Sequence, residues 1–513
     1  MASDISTNKK RVAKNTLLLY MRMLFTMTVS LYTSRIVLAT LGVDDYGIYN
    51  VVGGVVAMFT VLSGSLSSAI SRFITFEIGH GDIKKLKLIF STSVTIQFFI
   101  AIGILLIAEI VGVWFINEKM NISTDRLLAA NWVLQCSIVT FMINLISVPY
   151  NAMIIAHEKM SAFAYVSILE VTLKLLIVYM LYISSYDKLI VYAILLMLVA
   201  LAIRMVYGIY CKKHFEEASY SLVWDKDVFK EMLGFAGWNF FGNACYMLNT
   251  QGVNMLINMY FGVALNAARG IAVQVDGAVM SFVNNFTVAL NPQITKSYAS
   301  GDLQYMYKLL NQGTKFAFFI MYFFVVPFVL ETETILRIWL KEVPEQSTIF
   351  LRLVLFASLA SVSGNELYYG ITSTGQIKNY QLVVSLVGVM VFPLTWIAYE
   401  SGAGASCTYL FFIVIYLSLN IIRLQFLKRL IHFPVRAFLC EAVKPISIVA
   451  ASAFILPGTV VYLMPPSLPR MVLVFTISFI STGGIIYRWG LTGSERDFIV
   501  TKSKELIRKI SNR

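Results

Sequence analysis

The chain has 513 residues, of which 58% are hydrophobic and 13% charged, with a mean hydropathy of +0.74. Soluble domains run at about 45–50% apolar and about 25% charged, so this excess has to face lipid. That excludes a soluble enzyme, a fibrous protein and a disordered scaffold. The net charge of +13 fits either a nucleic-acid binder or a membrane protein with cytoplasmic loop anchors, and the distribution of the cations decides between the two.

Crossing about 30 Å of hydrocarbon takes about 20 apolar residues in a helix. Windows of that size predict about fourteen spans, at 14–40, 47–71, 88–116, 127–149, 161–184, 188–211, 231–260, 264–290, 313–331, 348–373, 380–399, 403–423, 442–464 and 468–488. They lack two-residue alternation and are too long for barrel strands. Lys9, Lys10, Arg11 and Lys14 precede the first span, and Arg72, Lys84, Lys85 and Lys87 follow the second. Lys159, then Lys212, Lys213, Lys226 and Lys230, continue the series on the same side. So do Lys296, Lys308 and Lys315, then Lys378, then Lys428, Arg429, Arg436 and Lys444. Opposite loops are poor in cations and carry acids such as Asp44, Asp45, Glu331, Glu333, Glu342 and Glu345. Every second loop is basic, which places both termini in the cytoplasm and makes the span count even. The charge is an orientation signal, and no nucleic-acid partner is expected.

The first apolar stretch is no cleavable signal: it is too long, holds Arg22 and lacks a small-residue cleavage site. Cys136, Cys211, Cys245, Cys407 and Cys440 form no CxxC pair, and His80, His157, His214 and His432 are scattered. No disulfide framework, metal site or bound cofactor is expected, beyond a coupling H+ or Na+.

An internal repeat organises the chain. LGVDDYGIYN…AISRFITFEIGHGD at 41–82 aligns without a gap on FGVALNAARG…ALNPQITKSYASGD at 261–302, at an offset of 220. Gly42 meets Gly262, Ile74 and Thr75 meet Ile294 and Thr295, and Gly81-Asp82 meets Gly301-Asp302. A weaker echo pairs the segments starting at Tyr150 and Tyr368. Six spans separate the copies, so they share one orientation: two parallel halves of about six helices, an arrangement common in transporters. The expected division is a first lobe at 1–212, a polar linker at 213–230, a second lobe at 231–440, and spans thirteen and fourteen with a tail at 441–513.

A charge at the bilayer centre costs about 2.5–3.5 kcal/mol on insertion scales, so each one needs a reason. Arg22 lies deep in span one and is expected in a cavity. Arg35 and Arg269 lie near outer ends, where snorkelling alone can explain them. Arg22 and Arg35 are thirteen residues apart, about 220° around the helix, and cannot face one cavity unless the helix bends. Glu170 and Lys174 are spaced i, i+4 and can pair on one face of span five. They are either a neutralised couple that aids insertion or a pair poised for an anionic head group. Asp276 in span eight shares a face with Arg269, and Glu366 in span ten has no cation within a turn. These two carboxylates are candidates for ion coupling or, more plainly, for interhelical hydrogen bonds. Asn239, Asn243, Asn249, Gln251, Asn254 and Asn258 in span seven are either helix glue or the wall of a polar lumen. Pro149, Pro292 and Pro327 can bend their helices where neighbours satisfy the freed backbone groups. The tail ERDFIVTKSKELIRKISNR places Ile499, Leu506, Ile507 and Ile510 near one face with its cations opposite, which suggests a helix lying on anionic membrane lipids.

This all-α layout, two parallel six-helix lobes plus two C-terminal helices, resembles the polysaccharide flippases of the multidrug/oligosaccharidyl-lipid/polysaccharide (MOP) superfamily. Local words match as well: RMLFTMTVSLYTSRIVLATLGVDDYGIYNVVGG, GWNFFGNACYMLNTQGVNMLINMYFGVALNAARGIA, NPQITKSYASGD, ILRIWL and TGQIKNY. The resemblance implies a MATE-like fold and no enzymatic chemistry. It implies movement of an undecaprenyl-diphosphate-linked oligosaccharide across a bacterial inner membrane by alternating access, for O-antigen or similar surface polysaccharide, with a polymerase as a further partner. Arg22 and Lys174, with Arg35 and Arg269, match the cations such a cavity needs; Glu170, Asp276 and Glu366 match coupling carboxylates. The multidrug branch, an ion-coupled exporter of cationic drugs, is the alternative. It would want an acidic first half, where here Arg22 and Lys174 outnumber Glu170.

Overall fold

The structure is a computed structural model that describes residues 2–57, 59–118, 123–221, 225–339, 343 and 345–497. These residues are helical nearly throughout, and no strand occurs among them. Helix is the form a bilayer favours, because it satisfies every backbone N–H and C=O within its own segment. In chain order the helices are α1 (Ala2–Ala57), α2 (Thr60–His80), α3 (Ile83–Glu118), α4 (Leu127–Ala156), α5 (Met160–Ile183), α6 (Lys188–His214), α7 (Lys226–Ala299), α8 (Leu303–Leu330) and α9 (Thr332–Trp339). There follow α10 (Ser347–Val362), α11 (Asn365–Ser373), α12 (Lys378–Val389), α13 (Val391–Glu400), α14 (Cys407–Ile431), α15 (Val435–Phe438), α16 (Lys444–Ser452), α17 (Ile455–Leu463) and α18 (Leu468–Ile485).

Among the described residues, ten stretches are long and apolar enough to cross a membrane: Ile83–Glu118, Thr124–Ala156, Met160–Ile183, Lys188–His214, Leu303–Leu330, Ser347–Ser373, Lys378–Glu400, Cys407–Ile431, Val435–Leu463 and Leu468–Gly490. They coincide with the third to sixth and ninth to fourteenth expected spans. The other four expected spans lie on α1, α2 and α7, which carry Arg22 and the amides.

Neither α1 nor α7 is a straight rod. In α1 the backbone leaves helical geometry at Gly42, whose φ of 83° is a left-handed value that glycine adopts without strain. As a straight helix, the 74 residues of α7 would reach about 110 Å. Arg269, however, donates to Asn254 Oδ1 at 3.0 Å and to the Thr250 carbonyl at 3.2 Å, 15 and 19 residues away in sequence. A straight helix would separate those residues by more than about 20 Å. The chain therefore doubles back between Asn254 and Arg269, an interval that contains Gly262, the repeat equivalent of Gly42.

By compactness the chain forms two units: Met1–Ala244 with Val288–Asp302, and Cys245–Thr287 with Leu303–Arg513. The boundaries of these compact units fall inside α7, because its first arm and its last turns pack with the first unit. Part of the expected linker also packs there: Phe215, Glu217 and Ala218 are buried, and the Ser221 N–H donates to Ser91 Oγ of α3 at 3.2 Å. The core of the first unit joins Val52 and Val56 with Ala130, Val133 and Leu134 of α4 and Leu189 of α6. The core of the second unit joins Met321, Tyr322 and Val325 of α8 with Phe350 and Leu355 of α10 and Tyr409 of α14.

The repeat is visible in detail within the first unit. Gly81 and Gly301 both follow helix ends with left-handed φ values of 88° and 78°. Ile74 and Ile294 are both fully buried, as are Thr75 and Thr295 within a few per cent. A Cβ on Gly79 would meet the Cβ of Ala299, its equivalent at offset 220, at 2.8 Å. The end of α2 and the last turn of α7 thus approach closely at a pair of residues equivalent in the repeat.

Candidate polar sites in the two helical units

In the first unit α5 sets Ser167, Glu170 and Lys174 at intervals of three and four residues, on one helix face. Lys174 Nζ lies 2.6 Å from Glu170 Oε1, and both side chains are about two-fifths exposed. Arg22 of α1 meets this face with a long contact of 3.5 Å from Nη1 to Ser167 Oγ. Its guanidinium also lies 4.8 Å from the ring centre of Phe163, a cation–π distance. Tyr207 of α6, itself buried, comes beside Arg22, Glu170 and Ser167. Three residues singled out in the sequence, Arg22, Glu170 and Lys174, are thus gathered into one cluster with two cations and one acid. The side chain of Arg35 lies outside the described residues, as does the tail beyond Asp497.

In the second unit the returning arm of α7 carries Arg269 and Asp276. The contacts of Arg269 to Asn254 and Thr250 brace the hairpin. Tyr246, Tyr409 and Tyr416 gather around Asp276, and Arg269 lies against the first two of them. Ser358 of α10 also faces the Asp276 carboxylate. Asp276 Oδ1 is buried without a hydrogen-bond partner among the described residues.

Glu366 belongs to a different group. The tenth expected span is two helices, α10 and α11, broken at Ser363-Gly364, and Glu366 is in the first turn of α11. An acid there complements the positive end of the helix dipole. Thr287 of α7 donates to Glu366 Oε1 at 2.8 Å, the interhelical hydrogen bond that the plainer reading expects. Glu366 Oε2 is buried and unpartnered among the described residues. The break is built by α14: Asn420 Nδ2 donates to the Ala360 carbonyl at 2.7 Å and Arg423 Nη1 to Asn420 Oδ1 at 2.8 Å. A Cβ on Gly364 would lie 1.9 Å from Asn420 Oδ1, so any side chain there forces Asn420 to move.

The amides of α7 act mainly as glue. Asn243 donates to Ser65 at 2.8 Å and Asn249 to the Gly388 carbonyl at 2.9 Å. Among the described residues no three His, Cys, Asp or Glu side chains gather as metal ligands. Sequence reading passed over Tyr207, Asn420, Arg423 and Arg204, whose guanidinium sits 3.8 Å from the ring centre of Tyr150. The signals were present: Arg204 lies within span six, Arg423 closes span twelve, and a Ser-Gly pair interrupts span ten.

Among the described residues the chain is an α-helical bundle with ten helices long and apolar enough to cross a membrane, helices broken at glycines and a polar cluster within each unit. The chain has the fold of the MATE transporters of the MOP superfamily. It superposes on MATE in the straight conformation with a TM-score of 0.71 at 12% identity, over 83% of this chain and 97% of the other. For a multidrug resistance MATE family transporter in its outward-facing conformation the values are 0.70, 13%, 83% and 97%. For a MOP superfamily transporter from Pyrococcus furiosus Vc1 (DSM3638), described as having a binding pocket of reversed polarity, they are 0.65, 14%, 84% and 96%. Among curated proteins, the chain is 20% identical over 377 residues to the uncharacterized membrane protein EpsK of Bacillus subtilis (strain 168), which is 72% of this chain and 73% of that one. No protein-family model matches the chain.

Proposed function

We propose that the protein moves lipid-linked, undecaprenyl-diphosphate-borne oligosaccharide across a bacterial inner membrane by alternating access, both its termini facing the cytoplasm, to supply surface polysaccharide such as O-antigen. It is read as a transporter, the class of its solved structural neighbours, and not as an enzyme. The observation that carries the substrate class is the Arg22, Glu170 and Lys174 cluster, where cations outnumber the acid. Membrane-embedded cations mark substrate paths. A guanidinium fork with an ammonium beside it suits a diphosphate. Asp276 and Glu366 are the proposed sites where a proton or sodium ion couples to transport, with no other cofactor. A polysaccharide polymerase is the further partner this role calls for.

The test is flipping of a fluorescent lipid-linked oligosaccharide in vesicles reconstituted with purified protein. Lys174→Ala is expected to reduce the initial rate at least about tenfold, the worth of one charge-assisted hydrogen bond; full retention removes Lys174 from the substrate path. A second reading, a cation-coupled multidrug or metabolite antiporter, is favoured by the buried carboxylates Asp276 and Glu366. Export of cationic dyes by the same vesicles, without flipping, selects that reading.

A further inference from the structure

At the basic end of α8, which the charge pattern places at the cytoplasmic face, the second unit holds a cavity of about 410 Å³. It opens between α8, the segment 434–441 and the turn at 492–495, and it is apart from the groups around Asp276 and Glu366. Its volume is within the range of small-molecule sites and far above the roughly 30 Å³ of a water.

The floor is already satisfied. Lys315, almost wholly buried, pairs with Glu495 at 2.7 Å, and Gln312 donates to the same carboxylate at 2.9 Å. The wall is not. Asn311 is 4% exposed; its Nδ2 donates to Glu441 Oε2 at 2.9 Å, while its Oδ1 is buried with no hydrogen-bond partner among the described residues. Glu441 sits in a π-helical turn, Leu439–Val443, a local widening that re-aims side chains and recurs at functional sites. A buried acceptor beside a carboxylate calls for a donor with positive charge. One helical turn from Asn311, Lys308 lines the same cavity and is in no ion pair among the described residues. It supplies a cation on the same face of α8 as Asn311.

We propose that this cavity binds a phosphoethanolamine group, its ammonium on Glu441 and Asn311 Oδ1 and its phosphate on Lys308. A bare cation would leave most of the volume empty, and a bare phosphate would meet Glu441. The group can come from an aminophospholipid of the surrounding leaflet or from a free phosphoamine. The site does not depend on what the protein transports.

The experiment titrates the purified full chain in detergent with dihexanoyl phosphatidylethanolamine, dihexanoyl phosphatidylcholine and O-phosphoethanolamine, and reads Kd from the rise in unfolding temperature. The ethanolamine lipid is expected to bind, and Glu441→Gln and Lys308→Ala each to weaken it at least about tenfold. Lys308 is exposed, so its variant folds even if Glu441→Gln does not. Equal affinity for free O-phosphoethanolamine supports the site with a soluble ligand, and binding of the lipid alone supports it with a membrane ligand. Equal affinity for phosphatidylcholine, whose nitrogen has no N–H, overturns the proposal, as does unchanged affinity in Lys308→Ala.

Discussion

Glu158 is predicted to be the residue of the first unit least tolerant of truncation. It sits in the turn between α4 and α5 at φ 58°, a left-handed value that L-residues adopt only at a cost. Its side chain is wholly buried, with Lys296 Nζ 2.8 Å from Oε1 and Gln293 Nε2 2.6 Å from Oε2. Asn15 of α1 donates to its carbonyl at 3.3 Å, so one residue ties together α1, the α4–α5 turn and the last turns of α7. In Glu158→Ala the Gln293 amide, 3% exposed, loses its acceptor, at a cost of about 1–3 kcal/mol. Breaking a buried ion pair costs about 3–5 kcal/mol. Lys296 is 22% exposed and can regain some water, so the total belongs at the lower end, about 3–4 kcal/mol. Glu158→Gly removes the same contacts but relieves the left-handed strain of about 1–2 kcal/mol. It should therefore be the more stable variant by about 1 kcal/mol, although glycine is elsewhere worse than alanine by a similar amount. Reversible unfolding in mixed SDS and maltoside micelles, followed by tryptophan fluorescence, measures both. The reasoning fails if Glu158→Ala lies within 1 kcal/mol of the parent, or if Glu158→Gly is the weaker of the two.

The helix break before Glu366 gives a steric prediction. Gly364→Ala should lower stability by about 1–3 kcal/mol, and adding Asn420→Ala should recover part of that by making room; a neutral Gly364→Ala would mean the break is not packed as described. A pH effect is expected at His157, outside the spans, which stacks on Phe215 at 4.3 Å and bonds Glu217 at 2.6 Å. Burial holds its imidazole below the ordinary value of 6.5 in spite of Glu217. Its stabilisation is thus complete above that value and lost as pH falls through the folded one. Midpoints of thermal unfolding between pH 7.5 and 5 should fall less in His157→Gln than in the parent, and parallel curves would exclude the effect. In transport assays Asp276→Asn should flatten the dependence of rate on the pH or sodium gradient while leaving passive substrate binding in place; an unchanged dependence shows that the coupling ion binds elsewhere.

The helical membrane fold was legible because it follows from composition and length, which tertiary contacts do not alter. The paired charges of α5 were legible for the same reason, since an i, i+4 spacing is a local geometric fact. What escaped were contacts between segments far apart in sequence. Asn420 and Arg423 act on a break 56 and 59 residues upstream, counting from Gly364, and only their approach explains why that break holds. Tyr207 read as one more aromatic in an apolar helix, and nothing in its neighbourhood announces that Arg22 comes to it from α1. Packing also carries the first compact unit on to Ala244 and returns to it at Val288, contacts that hydropathy and charge do not register.

The repeat joins what was legible to what was not. An offset of 220 states only that two segments are equivalent, and says nothing of where either lies. The close approach of Gly79 to Ala299 adds a fact the offset lacks, that one pair of equivalent residues is packed together. A glycine at one of the two positions permits that approach, since a side chain on both would force the helices apart. The same contact accounts for Glu158. Its partners Gln293 and Lys296 stand about two turns and one turn before Ala299, so the close approach of the helices there helps bring them within reach of the buried carboxylate. Substituting leucine at Gly79 should therefore weaken the Glu158 pair from a distance. Coupling between Glu158 and Lys296 measured by double-mutant cycle should fall from about 1.5–3 kcal/mol in the parent to under about 0.5 kcal/mol in the Gly79→Leu background. Coupling of equal size in both would show that the pair forms without help from the repeat contact.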